Sequence, residues 1–321
     1  MTEATTESGR RGIADHGWLL MLLPGLLWAG NAVVGRAVAG QVPPVALAFW
    51  RWTLGAILVL PFAWRHLRRD LRPMLRATPV MLALAAFGVA AFNTLLYTAA
   101  QTTTALNIVM LQSAMPVLIV AATFLLFRET VSTGQALGIA VSLAGALTLI
   151  AQGDPSMLLG LDFNTGDLWM LAAVVSYAIY TALLRRRPAV HGLSFLAATF
   201  AIGALMLLPF YATETLSGKP LPLTMTSALA IGYVAVFASI VSYLCFNQAV
   251  ARFGPNTAGL AVHLVPVFGT LLAIFGLGEA PHAYHGVGIA LIASGILLAT
   301  RRSQSRCPPA AAGGPSDVPP G

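Results

Sequence analysis

Charge is scarce in this chain: only 9% of its 321 residues are Asp, Glu, Lys or Arg. That is too little to coat a water-soluble domain of such length, so an aqueous globular fold is excluded. Acidic residues are fewest, 11 in all, and none falls in the middle of an apolar run, which removes the usual carboxylate proton relay of a pump. The two cysteines, Cys245 and Cys307, form neither a disulfide framework nor a metal-ligand spacing. In their place stand 57% hydrophobic residues and a mean hydropathy of +0.79. Apolar surface on this scale faces lipid.

A crossing needs about 20 apolar residues, and the chain supplies ten such runs: 18–39, 43–63, 78–99, 102–127, 133–151, 167–184, 191–211, 225–249, 255–277 and 281–299. The runs are too long for barrel strands, and a segment in hydrocarbon must satisfy its own backbone, so each is read as a helix. Links as short as Gln41 to Pro43 and Thr130 to Ser132 make neighbouring spans antiparallel. Residues 1–17 and the Pro/Gly/Ala-rich 301–321 read as disordered tails. Arg10, Arg11, the first apolar run and Ala37-Val38-Ala39 together resemble a secretory signal. That run is too long for a signal core and is broken by Trp28, Asn31 and Arg36, so it is read as a retained helix.

Basic residues orient the bundle. With the N-terminus inside, fifteen of the 18 Lys and Arg fall on the cytoplasmic side, from Arg10 and Arg11 through Arg65, Arg68, Arg69, Arg72 and Arg76 to Arg306; Lys219 alone is external. Arg36 and Arg51 lie within spans. The net charge of +7 is therefore a topology signal met by membrane lipid, and no nucleic-acid groove is implied.

One pattern occurs twice, 150 residues apart: Pro116, Glu129, Gly138 and Gly145, then Pro266, Glu279, Gly288 and Gly295. Ten spans in two copies give five per copy. Because five is odd, the second copy enters the membrane from the opposite face. The expected fold is all-α and integral to the membrane: repeats 18–151 and 167–300, inverted, joined by an external linker 152–166. Such architectures place a substrate near the midplane and alternate its access by rocking one half against the other.

The doubled Pro-x12-Glu-x8-Gly-x6-Gly, the Trp28-Ala29-Gly30-Asn31 segment and Arg51 together resemble the ten-helix EamA-type permeases of the drug/metabolite transporter superfamily, over Trp18 to Thr300. The resemblance implies a central cavity lined by spans 1, 3, 4, 6, 8 and 9, with spans 5 and 10 at the periphery. It also implies export of amino acids or related small metabolites across a bacterial-type inner membrane, with both termini cytoplasmic. Organic-cation or drug efflux is the alternative.

Candidate substrate-binding residues recur at helical spacing inside spans. Asn93 and Tyr97 make one stripe with Gln101, and Tyr243 and Asn247 another with Ser239; a shift of 150 sets Asn93 on Tyr243 and Tyr97 on Asn247. Trp28 with Asn31, Tyr177 with Tyr180, Gln112 and His263 complete the set, beside the reading that such groups merely bond helices together. Arg51 lies about 12 Å into its span at ~1.5 Å per residue. It either snorkels outward or faces the cavity and attracts a substrate carboxylate. Pro116 and Pro266 are hinges or static kinks, and Gly138, Gly145, Gly288 and Gly295 are close-packing positions. Glu129 and Glu279 cap the helix that follows or pair with arginine, with gating as the other reading. Glu279, His282 and His285 are the best constellation for an enzyme, but they read as interfacial; no cofactor, metal or catalytic group is expected.

Overall fold

The structure, a computed structural model, describes residues 17–159, 164–277 and 280–301. Within them lie ten helices long and apolar enough to cross a membrane. They are α1 (Leu19–Ala37), α2 (Pro44–Arg76), α3 (Thr78–Ala99), α4 (Leu106–Phe127), α5 (Thr133–Ile150), α6 (Thr165–Arg186), α7 (Gly192–Leu216), α8 (Met225–Phe253), α9 (Pro255–Leu272) and α10 (Ala283–Thr300). No strand occurs among the described residues. Of the tails expected to be disordered, 1–16 and 302–321 lie outside the described residues, as does Glu279; Gly17 forms a turn and Arg301 ends the last helix. The expected linker 152–166 holds a one-turn helix, Ser156–Leu159, and its last two residues already belong to α6.

Side chains set the helix starts. Ser132 and Gln135 form a reciprocal capping box at α5, and Asn164 and Asp167 form one at α6. Thr104 accepts from the Asn107 amide at the head of α4, and Thr224 accepts from Ser227 N at α8. The largest departure from the expected spans is α2, which continues to Arg76 rather than stopping near residue 63. Hydropathy ends where the arginines begin. The backbone ladder does not, because Arg, Leu and Met are good helix formers.

Successive crossings alternate, so α1 starts on what is called here the proximal face and ends on the distal face. The two five-helix repeats are inverted and interlock in three ways. First, α5 and α10 cross at their glycines. A Cβ on Gly138 would stand 2.6 Å from the Gly295 carbonyl oxygen, and one on Gly145 would stand 2.7 Å from that of Gly288. Early positions of one helix meet late positions of the other, which is an antiparallel crossing about a pseudo-two-fold axis.

Second, α2 and α7 exchange caps. Glu214, near the end of α7, accepts from the amides of Val45 and Ala46 at 3.2 and 2.7 Å, while Asp70, near the end of α2, accepts from the amide of His191 at 3.1 Å. Third, π-helical turns interrupt α3 at Ala85–Ala91 and α8 at Val236–Val241, repeat-equivalent positions within a residue. Breaks also recur in α4 and α9. The helix resumes at Met115 just ahead of Pro116, and a 3-10 stretch, Gly259–His263, precedes Pro266.

Candidate functional site

Arg51 organises the centre. It sits two turns into α2 with 1% of its surface exposed. Its Nε donates to Ser239 Oγ at 2.6 Å. Nη1 points at Asn31 Oδ1, Asn93 Oδ1 and Tyr97 Oη at 3.1, 2.7 and 2.8 Å, and Nη2 donates to the Ala238 carbonyl at 2.9 Å. Its guanidinium also stacks over Trp52, 4.6 Å from the ring centroid. The first repeat supplies Arg51, Asn31, Asn93 and Tyr97; the second supplies Ser239 and Ala238. The expectation that Arg51 either snorkels or turns inward is thus resolved inward.

The π turns make this possible. By widening the helix, a π turn displaces carbonyls from the regular ladder, and such turns are frequent at functional sites. Gly88 and Ala238 occupy equivalent positions in α3 and α8. The Gly88 carbonyl accepts from Tyr243 Oη at 2.6 Å; the Ala238 carbonyl accepts from Arg51 and, at 3.3 Å, from Trp28 Nε1. Gly88 is glycine for a further reason: a Cβ there would lie 2.2 Å from the Tyr180 ring.

A narrow cavity of about 60 Å³ lies beside Arg51. Trp28, Asn31, Asn93, Gln112, Tyr177 and Tyr243 line it together with Arg51, as do apolar Phe92, Met115 and Val262. Its wall thus draws on α1, α2, α3, α4, α6, α8 and α9; α2 enters through Arg51, in addition to the helices that the family resemblance implied. The lining reaches Arg36, Ala100 and Ile108 at the distal ends of α1, α3 and α4. Among the described residues no Asp or Glu lines it, whereas two arginines do. The Tyr177 hydroxyl, fully buried, has no hydrogen-bond partner among the described residues.

Four candidates stand apart from the lining. Tyr97 donates to Asn31 Oδ1 at 2.8 Å behind Arg51, and Tyr180 donates to Asn247 Oδ1 at 2.8 Å, one turn nearer the proximal face than Tyr177 and Tyr243. These are the same α1–α3 and α6–α8 contact in the two repeats, with phenol and amide exchanged. His263 is held elsewhere: one ring nitrogen lies 2.7 Å from Ser142 Oγ and the other 2.9 Å from the Ser113 carbonyl, between α5 and α4. Glu129 pairs with Arg185 across the repeats on the proximal face, the capping of α5 being done by Ser132.

One cluster escaped the sequence reading. Asp167, 3% exposed, accepts from Thr103 Oγ1, from Asn107 Nδ2 at 3.0 Å and from the Asn164 amide at 2.8 Å, tying α4 to α6 at the distal face. The signal was the Asn164-x-x-Asp167 spacing of a capping box.

The EamA-like transporter profile matches residues 16–151 and again 164–301. The chain belongs to the EamA-like transporter family. The uncharacterised transporter YyaM of Bacillus subtilis is 26% identical over 289 residues, covering 88% of this chain and 92% of that protein. An inner membrane transporter of Salmonella typhimurium, YicL, is 25% identical over 92% of this chain and 98% of its own length. A probable terminal-alkyne amino-acid exporter of Streptantibioticus cattleyicolor is 25% identical over 236 residues, 73% of this chain and 77% of that one. A solved crystal structure superposes with a TM-score of 0.72 at 20% identity, covering 91% of this chain and 98% of the other, a likeness of fold alone. This member of the EamA-like family is a multi-pass membrane transporter.

Proposed function

We propose that this transporter exports amino acids or closely related carboxylate-bearing metabolites, and that Arg51 with the cavity wall beside it is the binding site. One observation carries the reading. Arg51 is a permanent cation at the centre of the bundle, and among the described residues every hydrogen bond it makes is to a neutral acceptor and no acidic side chain lines its cavity. An arginine cannot shed its charge, and a buried charge without a counter-ion is costly. A substrate carboxylate supplies that counter-ion. Trp28, Phe92, Tyr177 and Tyr243 offer a wall for an apolar or aromatic side chain, and Tyr177 Oη and Gln112 offer polar contacts.

The amino-acid exporter among the relatives supports the same class. Organic-cation efflux is disfavoured, because Arg36 and Arg51 repel a cation that the aromatic rings would otherwise hold. In this reading the cavity's reach toward the distal face is one access state, and rocking of the inverted repeats opens the other. His263, locked between Ser142 and Ser113, offers no proton carrier in the cavity, so movement down a concentration gradient is the favoured mode. The proximal face is cytoplasmic and the membrane is a bacterial inner membrane.

The test is efflux from preloaded proteoliposomes against a panel of amino acids, their amides, quaternary amines and nucleotide sugars. Acids should leave and exchange in counterflow, with amides and amines far slower. Export of quaternary amines in preference to acids would overturn the reading, as would equal rates for wild type and Arg51→Gln. Chemical conversion of a panel member in detergent would point to an enzyme instead.

A further inference from the structure

Beyond the last arginine that the cavity uses, α2 does something that crossing a membrane does not require. The hydrocarbon layer is about 30 Å, or 20 residues at ~1.5 Å per residue, so a helix entering at Pro44 leaves it near Trp64. Yet α2 is 33 residues long and ends at Arg76. Its last three turns therefore lie beyond the hydrocarbon, from the headgroup layer outward. Those turns carry Arg65, Arg68, Arg69, Arg72 and Arg76, all exposed. At about 100° per residue the five fall within an arc of roughly 100°.

The protein-facing side of the same stretch is marked by buried Ala63 and Met74. These lie on the opposite side of the helix from the arginines, so the basic stripe faces away from the bundle. Beside it run Trp64, Leu71 and Leu75, exposed at 50, 49 and 63%. Arg68 stacks on Trp64, 5.2 Å from guanidinium to ring centroid. An aromatic ring at the hydrocarbon boundary, an apolar flank and a cationic stripe make up an interfacial amphipathic helix. The single acid within it, Asp70, is engaged by the His191 amide.

We propose that the Arg65–Arg76 extension of α2 is a binding surface for the headgroups of anionic phospholipids. Retention of basic residues on one side of a membrane calls for no particular helix face, whereas here all five sit on the face turned from the protein. The ligand chemistry is a phosphate diester held in a bilayer, recognised by guanidinium forks. Nothing in this inference depends on what the cavity carries.

The experiment uses the full chain in nanodiscs, where both faces are open and insertion direction does not matter. Lipid co-purifying with the protein is measured by native mass spectrometry, with mixed phosphatidylcholine and phosphatidylglycerol supplied. Wild type should retain phosphatidylglycerol selectively. Retention should weaken about fivefold per arginine removed in Arg68→Gln and Arg72→Gln, and should survive in Arg68→Lys with Arg72→Lys. An equal number of substitutions at Arg185 and Arg186, on the same face but off the stripe, should leave it within twofold. Soluble glycerophosphate at matched concentration should not compete. If the glutamine variants hold phosphatidylglycerol as wild type does, if the Arg185 and Arg186 variant loses as much, or if soluble glycerophosphate displaces the lipid, the proposal fails.

Discussion

Arg51 Nη2 lies 2.9 Å from the carbonyl oxygen of Ala238, a bond from the second helix of one repeat into the π turn of the other. The guanidinium is thus both the charge beside the cavity and a tie between the two halves. On the proposed reading, a substrate carboxylate arriving at Arg51 would compete for donors that hold the halves in this arrangement, giving binding a route to the rocking motion.

Lysine at position 51 keeps the charge but not the fork, and cannot serve Ser239, Asn31, Asn93 and Ala238 together. Hydrogen bonds to a charged group are worth about 1.5–3 kcal/mol each, so Arg51→Lys should raise the KM for acids tenfold or more and lower the melting temperature. With Arg51→Gln, acids should lose affinity while the corresponding amides change little. Counterflow kinetics and thermal unfolding in detergent measure both; equal losses for acids and amides would make Arg51 purely a tie.

The Tyr180–Asn247 bond closes the proximal side beneath Tyr177 and Tyr243. Tyr180→Phe removes about 1 kcal/mol from the state seen here and leaves the Asn247 amide with no partner at either end. The population open at the proximal face should rise about fivefold. A cysteine at Met115, the lining position of α4 nearest the proximal face, is the probe, with Cys245 and Cys307 replaced by serine. Its alkylation by a small maleimide should speed up by that factor, whereas Tyr97→Phe, on the other side of Arg51, should leave the rate unchanged.

Periodicity and charge placement made the ten spans and the inversion legible in the sequence, because lipid forces every crossing to declare itself by its length and apolarity. The repeat offset also pointed to Asn93, Tyr97, Tyr243 and Asn247 as a related set, and the first three converge around Arg51 and its cavity. The network's carbonyl acceptors were not legible. Gly88 and Ala238 act through backbone, and a π turn leaves no residue-type signature. The length of α2 was hidden too, since hydropathy measures what lipid accepts rather than where a helix stops. His263 looked like a cavity residue because one span's sequence does not say which face meets Ser142.

Inversion predicts which loops share a side. In a background with Cys245 and Cys307 replaced by serine, cysteines at Arg69 and Arg186 should label from one side of the membrane, and cysteines at Gly40 and Lys219 from the other. The proposed orientation, read from the excess of arginine, expects the first pair to label from the cytoplasm. Labelling of Arg69→Cys and Lys219→Cys from one side would break the inverted arrangement.

The glycine crossing of α5 and α10 gives a test that depends on geometry alone. Gly138→Ala puts a methyl 2.6 Å from the Gly295 carbonyl oxygen, and Gly295→Ala puts one 2.6 Å from that of Gly138. Neither contact can be relieved by a rotamer, so the helices must separate, at a cost of about 1–3 kcal/mol for overpacking. Once they have moved apart, the second methyl meets space the first has opened. The double variant should therefore lose clearly less stability than the sum of the singles, as expected for residues in contact. Gly138→Ala with Gly145→Ala, two turns apart on one helix, should sit nearer additivity. Unfolding midpoints for the three single variants and two doubles decide it: strict additivity for Gly138 with Gly295 would mean that the two helices do not cross there.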